Sequence, residues 1–437
     1  IAKAKRQIAA SQFRSLTTAS GRASDLASNW HEARDLDFTR RHVAAIDAVT
    51  SDDVRRAAAL LTDERLTLTI LDPLDAPPPA RRGKTTRNRE DVTVHTLSNG
   101  LRIALLPDKR VPLLHLQAAV RGGLPSETPE TNGLNQLLAS TLPKGTTTRD
   151  AREIALTLES LGASIAANTG NNALLVQAGG LAPDFETIAG VFAEVMISPA
   201  LPQDAMLRER ASQLAALEES MQDPLHAAFR ALRSELYQGN GYGLDALGSP
   251  ESLKALERET LAAHHSRHFN TANITLAIAG DFESPAVIDT LEAGFAKLAT
   301  GSPWSVPAST PLTGLETTVR LPKKQAVLAV GFPGTSVSAA NRHALAMIQE
   351  YASDMAGPLF TRIREELGLA YQVGATQFLG YDTGMFTFYL ATSPDQAELA
   401  RAELLEEIHR IAENGIPDDA FDRVGSTVLS GLAIQQQ

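Results

Sequence analysis

Three stretches of this sequence carry side chains at spacings that chemistry can use. In LFTRIREELGLAYQVGA (359–375) a helical pattern should stop at Gly368, a residue suited to the left-handed cap position, before a strand that begins near Tyr371. That places Arg364 on the last helical turns and Tyr371 at the strand entrance. A guanidinium and a phenolic hydroxyl are suited to gripping a peptide carbonyl or stabilising the oxyanion of a tetrahedral intermediate. The competing reading has Arg364 exposed beside Glu365 and Glu366 and Tyr371 packed in the core; on the residues alone it is the default. In AAHHSRHF (262–269), His264 and His268 stand four apart, so a helix sets two imidazoles on one face, as a metal site needs. No acidic third ligand lies nearby and Arg267 would repel a cation, so a solvated helix end before a strand accounts for the polarity. The third stretch, NGLNQLLASTLPKGT (132–146), follows a strand and a Gly-Gly turn, where a site would be reachable. Its Gln136, Ala139 and Ser140 offer no titratable group, so neither zinc ligation nor general-base chemistry can come from them. It reads as a core helix.

The elements around these residues predict an α+β chain of repeated domains. Residues 1 to about 62 are helical in pattern, with Thr50 or Ser51 as a cap and Asp52 and Asp53 in the first turn, where the helix dipole favours negative charge. RLTLTILD (65–72) alternates like a strand, and the Pro-rich, basic segment 73–90 reads as an extended linker. Ser98-Asn99-Gly100 joins two alternating runs as a hairpin. The segment 91–300 then reads as one domain: a third strand, helices at about 131–143 and 149–162, strands near 164–180, helices from 183 to 235 and 257 to 268, and the strand 274–282. A second linker (301–314) precedes 315–437, which repeats that order: strands in VRLPKKQAVLAVGFPG, a helix over about 339–367, strands in YQVGATQFLG and MFTFYLAT, and helices from 394 onward.

Bulk properties remove several functions. The net charge of −11, with no run of five or more Lys or Arg, argues against a nucleic-acid partner. No apolar run approaches the ~20 residues of a membrane span. The absence of cysteine excludes disulfides, thiolate metal sites and cysteine nucleophiles. The chain begins at Ile1 without an initiator Met, so a processed or truncated product is expected. The compartment stays open between periplasm and cytoplasm.

Taken in order, LSNGLRIALLPD, AAVRGGLPSETPETNGLNQLLASTLPKGT, YGLDALGSPESL, HFNTANITLAIAGDF and FTRIREELGLAYQVGA resemble the successive signatures of the insulinase-like (pitrilysin) family of zinc metallopeptidases, over nearly the whole chain. The resemblance implies two domains per unit, each a mixed, mostly antiparallel sheet packed against helices. In active members the helix carries H-x-x-E-H, two zinc-binding histidines and a water-activating glutamate. Here those positions are Gln136, Ala139 and Ser140, and the further zinc-ligand glutamate falls near Leu217, with Glu218 and Glu219 beside it. The resemblance therefore implies a unit without metal, and zinc in a partner unit.

Arg364 and Tyr371 match the family's Arg-Tyr pair at the same spacing. In relatives that divide labour, two units close like a clamshell and this pair contacts peptide bound at the partner's zinc. That reverses the default on the pair and implies a non-catalytic, substrate-binding unit, inactive on its own. The alternative is a structural or interaction subunit with the same fold. Residues 1–82 resemble the end of a preceding unit's second domain, and FDRVGSTVLSGLA (421–433) can be laid on IAKAKRQIAASQF (1–13), as in a tandem polypeptide. A further expectation is that 1–82 completes the 315–437 domain.

Overall fold

The computed structural model describes residues 2–58 and 92–435; the expected strand at 65–72 and the linker at 73–90 lie outside them. Among the described residues four α-helices come first, α1 (Ala2–Ser15), α2 (Ala19–Ser28), α3 (Phe38–Ala48) and α4 (Ser51–Ala58), with a π-helical turn, Asn29–Ala33, after α2. Thr50 caps α4, its Oγ1 accepting from the Asp53 N–H while its own N–H donates to Asp53 Oδ2. Helix α1 docks on the layer that follows it. Lys3 pairs with Glu159 and Arg6 with Asp184, and the backbone of Arg6 crosses so close to Gly162 that a Cβ there would lie 2.7 Å from the Arg6 carbonyl oxygen.

The first sheet has six strands in the order β1-β2-β6-β3-β5-β4: β1 (Thr93–Thr96), β2 (Arg102–Pro107), β3 (Leu113–Arg121), β4 (Ser164–Thr169), β5 (Ala173–Leu181) and β6 (Ile274–Gly280). Every neighbouring pair is antiparallel except β2 with β6. The Asn-Gly hairpin forms as the sequence predicts, with Gly100 at φ +92° and its N–H donating to the Leu97 carbonyl. Helices α5 (Leu134–Thr141), α6 (Ala151–Ser160), α7 (Phe185–Ile197), α8 (Gln203–Met221), α9 (Pro224–Leu236), α10 (Pro250–Ala255), α11 (Arg258–His268) and α12 (Ser284–Phe295) complete this part. Its core joins Ile103, Leu116, Leu138, Phe192, Leu276 and Phe295, all fully buried.

The second sheet runs β7-β9-β8, from β7 (Ala326–Pro333), β8 (Gln372–Leu379) and β9 (Gly384–Thr392), all antiparallel. It repeats the β3-β5-β4 order of the first sheet. Helices α13 (Arg342–Ser353), α14 (Ala397–Asn414) and α15 (Asp418–Gln435) accompany it, and Leu359, Ile363, Phe388, Leu390 and Leu404 form a second core. Helix α9 lies along β7, with Phe229 edge-on to Tyr389 and the side chain of Leu232 filling the space over Gly331.

Two expectations are corrected here. The strand expected in VRLPKKQAVLAVGFPG begins only at Ala326, since Pro322 lacks the N–H a ladder needs and two lysines follow it. The single helix expected over 339–367 is two: α13 ends at Ser353, a turn closes with the Gly357 N–H on the Asp354 carbonyl, and Pro358 precedes a π-helical segment, Leu359–Glu366.

Candidate substrate-binding site

Helix α5 is held at its N-terminus by a buried acid. The Glu127 carboxylate accepts from the backbone N–H groups of Gly133 and Asn135 and from the side-chain amides of Asn132 and Asn135, at 2.7–2.9 Å. It thus satisfies donors that a helix start leaves free. Burial pushes its pKa up, and these four hydrogen bonds pull the other way. Gly133, at φ +87°, lets α8 and α10 approach, and the amide of Gln213 on α8 donates to the Gly133 carbonyl at 3.0 Å. The acid and the glycine fix this helix where a site would need it.

What the helix carries cannot do the chemistry. Positions 136, 139 and 140 share one face, three and four residues apart. Ala139 has no exposed surface, and Leu217 on the packed helix α8 is 1% exposed, both within the first core. Glu218 and Glu219 point to solvent, which makes Leu217 the residue that faces inward. The Ser140 hydroxyl is turned back onto the Gln136 and Leu137 carbonyls. Zinc needs imidazole, thiolate or carboxylate donors; an amide, a methyl, an engaged hydroxyl and an isobutyl group do not fit it. Among the described residues no group of three or more His, Asp or Glu is placed to hold a metal ion.

The histidines of α11 are not a solvated helix end, as the sequence suggests. His264, His265 and His268 are buried, and one ring nitrogen of each meets a neutral partner: Asn135 Oδ1 at 3.0 Å, the Met196 carbonyl at 3.0 Å and the Arg121 carbonyl at 3.1 Å. Burial, then the neighbouring His268, Arg267 and His265, hold His264 down to about 3; burial holds His265 down to about 4. They are neutral packing groups. The polarity has a structural use, joining α11 to the start of α5 and to the end of β3.

Arg364 and Tyr371 flank the Gly368 turn. Gly368 sits at φ +63°, and the Leu369 N–H closes the turn onto the Ile363 carbonyl. Leu359 and Ile363 anchor the π-helical segment in the second core, so Arg364 lies on its outer side, with 44% of its side chain exposed. Its guanidinium lies 4.8 Å over the Phe360 ring and 3.8 Å from Glu365. Tyr371 is 54% exposed; its backbone N–H joins the sheet through the Ala391 carbonyl while its ring stays out of the core. Partial desolvation raises the phenol above its ordinary value. No hydrogen bond or ring contact joins the two side chains to each other; both present free polar groups to solvent.

Two models of one peptidase family match the chain in tandem: "Insulinase (Peptidase family M16)" over residues 106–249 and "Peptidase M16 inactive domain" over 255–427. The chain belongs to the insulinase-like peptidase family. This member has lost the H-x-x-E-H residues and keeps the spacing of the Arg-Tyr pair. A relative from Rickettsia bellii, described as an uncharacterized zinc protease, is 26% identical over 353 residues, covering 80% of this chain and 85% of that protein. Mitochondrial-processing peptidase subunit beta of Bos taurus is 26% identical over 235 residues, 53% of this chain and 48% of that one. Among solved structures, the peptidase M16 inactive domain from Pseudomonas fluorescens superposes with a TM-score of 0.70 at 20% identity, covering 79% of this chain and 86% of that chain. A chain of complex III from Candida albicans gives 0.68 at 18%, covering 78% and 82%. These two show the shared fold. Sequence reasoning on this insulinase-like chain missed the Glu127–Asn135–His264 network; the signal was Glu127 ahead of a helix start flanked by Asn132 and Asn135.

Proposed function

We propose that this chain is a non-catalytic, substrate-binding unit of an insulinase-like zinc metallopeptidase, completing the active site of a zinc-bearing partner unit. The observation that carries this is a contrast. Ala139 and Leu217 are packed into the core and half-buried Gln136 and Ser140 carry no zinc donor, while Arg364 and Tyr371, at the family's spacing, stay exposed on either side of the Gly368 turn. Peptide bound at the partner's metal would meet a guanidinium fork and a phenolic donor, both able to bond a carbonyl or a developing oxyanion. In this proposal 91–300 and 315–437 are the two domains of one unit, 301–314 links them, and 1–82 is the end of a preceding unit's second domain joined through the linker at 73–90.

The test mixes the chain with a zinc-bearing insulinase-like unit and follows cleavage of a long unstructured peptide. The chain alone should be inactive. In the mixture, Arg364→Ala should lower kcat/KM roughly 10- to 1000-fold and Tyr371→Phe about 10-fold, as for loss of oxyanion donors, with zinc content unchanged. Equal rates in wild type and both variants would remove the role given to the pair. The second reading, a structural or interaction subunit, is favoured by the same closed core at Ala139 and Leu217; it leaves the exposed pair without a task.

A further inference from the structure

Resting on that reading, we propose that Phe360 is a positioning residue that orients Arg364 toward substrate. An exposed arginine is usually held by a carboxylate, which occupies its donors and offsets its charge. Of the acids on and beside this segment, only Glu365 pairs with it, at ion-pair distance, and none takes a hydrogen bond from its guanidinium. Glu366 hydrogen-bonds Arg362 at 3.0 Å, Glu403 lies 3.5 Å from the same Arg362, and Glu365 stays 3.8 Å from Arg364, beyond hydrogen-bond reach. The contact that fixes the Arg364 guanidinium is the face of Phe360, four residues earlier in the π-helical segment.

A ring attracts the cation through its quadrupole while using none of its five N–H donors. The fork is therefore oriented and still empty, which suits an acceptor carried by an extended peptide, either a backbone carbonyl or a terminal carboxylate. Phe360 is half-buried, and its neighbour Leu359 is fully buried in the second core, so the platform is fixed to the scaffold. Arg364 alone is then the mobile partner of the stack.

A double-mutant cycle tests this, using an internally quenched unstructured peptide and this chain assembled with a zinc-bearing unit. Phe360→Leu should lower kcat/KM about 2- to 5-fold, the range of an exposed cation–π contact. It should have no further effect once Arg364 is alanine, and Phe360→Tyr, which keeps the ring, should restore the rate. Additive losses from Phe360→Leu and Arg364→Ala would overturn the proposal by showing a general structural role. If Arg364→Ala has an effect and Phe360→Leu has none, the inference fails and the substrate-binding reading stands. If Arg364→Ala has no effect, both fall together. A second arm uses the chain alone: the Arg364 Nε–H resonance, assigned by its absence in Arg364→Ala, should sit upfield under the ring and move to its unstacked position in Phe360→Leu. An unmoved resonance would refute the stack without any assay of activity.

Discussion

At the scale of single residues, the zinc position has been absorbed into the core. Ala139 has no exposed surface, and Leu217, on the packed helix α8, belongs to the same core. Writing the motif back with Gln136→His, Ala139→Glu and Ser140→His would bury a carboxylate among apolar groups with no cation to meet it. Ala139→Glu alone should cost several kcal/mol, whereas Ser140→His, at a half-buried position, should cost far less; thermal unfolding of the two variants checks the difference. A full motif that bound stoichiometric zinc while Leu217 remained would contradict this account. The histidines give a pH dependence of definite sign. In the folded chain His264 and His265 protonate only near 3 and 4, against an ordinary value near 6.5. Below 6.5 the unfolded chain takes up protons that the folded chain refuses, so stability falls as pH falls, by about 1.4 kcal/mol per unit for each group. Glu127, whose value is raised, acts in the opposite sense: its contribution is present below the ordinary carboxylate range and fades as pH rises through the raised value. The urea midpoint should therefore drop between pH 7 and 5, and drop less in His264→Gln. Equal slopes for the two proteins would remove His264 from the explanation.

At the scale of elements, local chemistry was legible and winding was not. The Asn-Gly hairpin, the Thr50 cap and the Gly368 stop were all readable because each depends on a few adjacent residues. The π-helical form of Leu359–Glu366 was not, since nothing local distinguishes it from an α-helix, and the division of the helix expected over 339–367 at Gly357-Pro358 was missed with it. Burial of the α11 histidines was equally hidden, because their partners come from positions 135, 196 and 121. Two glycines with similar backbone torsions separate the causes. Gly368 has φ +63° and open space where a Cβ would stand, so Gly368→Ala should cost only the left-handed penalty of roughly 1–2 kcal/mol. Gly133 has φ +87°, and a Cβ there would lie 2.8 Å from Leu253 Cδ2 and 2.9 Å from both the Gln213 amide nitrogen and the Leu247 carbonyl. Gly133→Ala should cost clearly more and disturb the start of α5, which paired calorimetric scans of the two variants would resolve.

At the scale of the molecule, three tyrosines join the two sheets. The Tyr242 hydroxyl donates to Asn172 Oδ1 at 2.8 Å and accepts the Tyr381 N–H at 2.7 Å; the Tyr381 hydroxyl donates to the Asn172 carbonyl, and the Asn172 amide donates to the Leu379 carbonyl. Tyr237 donates to the Gly384 carbonyl at 2.6 Å. Burial pushes Tyr237 and Tyr242 up to about 12, so both remain protonated donors across the working pH range. Arg121 stacks over Tyr381, and Arg233 over Phe378, closing the contact from either side. Arg364 and Tyr371 ride on the second sheet and α5 on the first, so the proposed role of the pair would need this joint to be stiff. Tyr242→Phe keeps the ring and removes the hydroxyl, taking a partner from the half-buried Asn172 Oδ1 and from the Tyr381 N–H at about 1 kcal/mol apiece. Wild type should melt in one calorimetric transition, and Tyr242→Phe in two, with the second sheet and its helices unfolding first because their core is the smaller. A single transition merely shifted downward would mean that the aromatic packing alone, and not the hydroxyl network, makes the two sheets unfold as one.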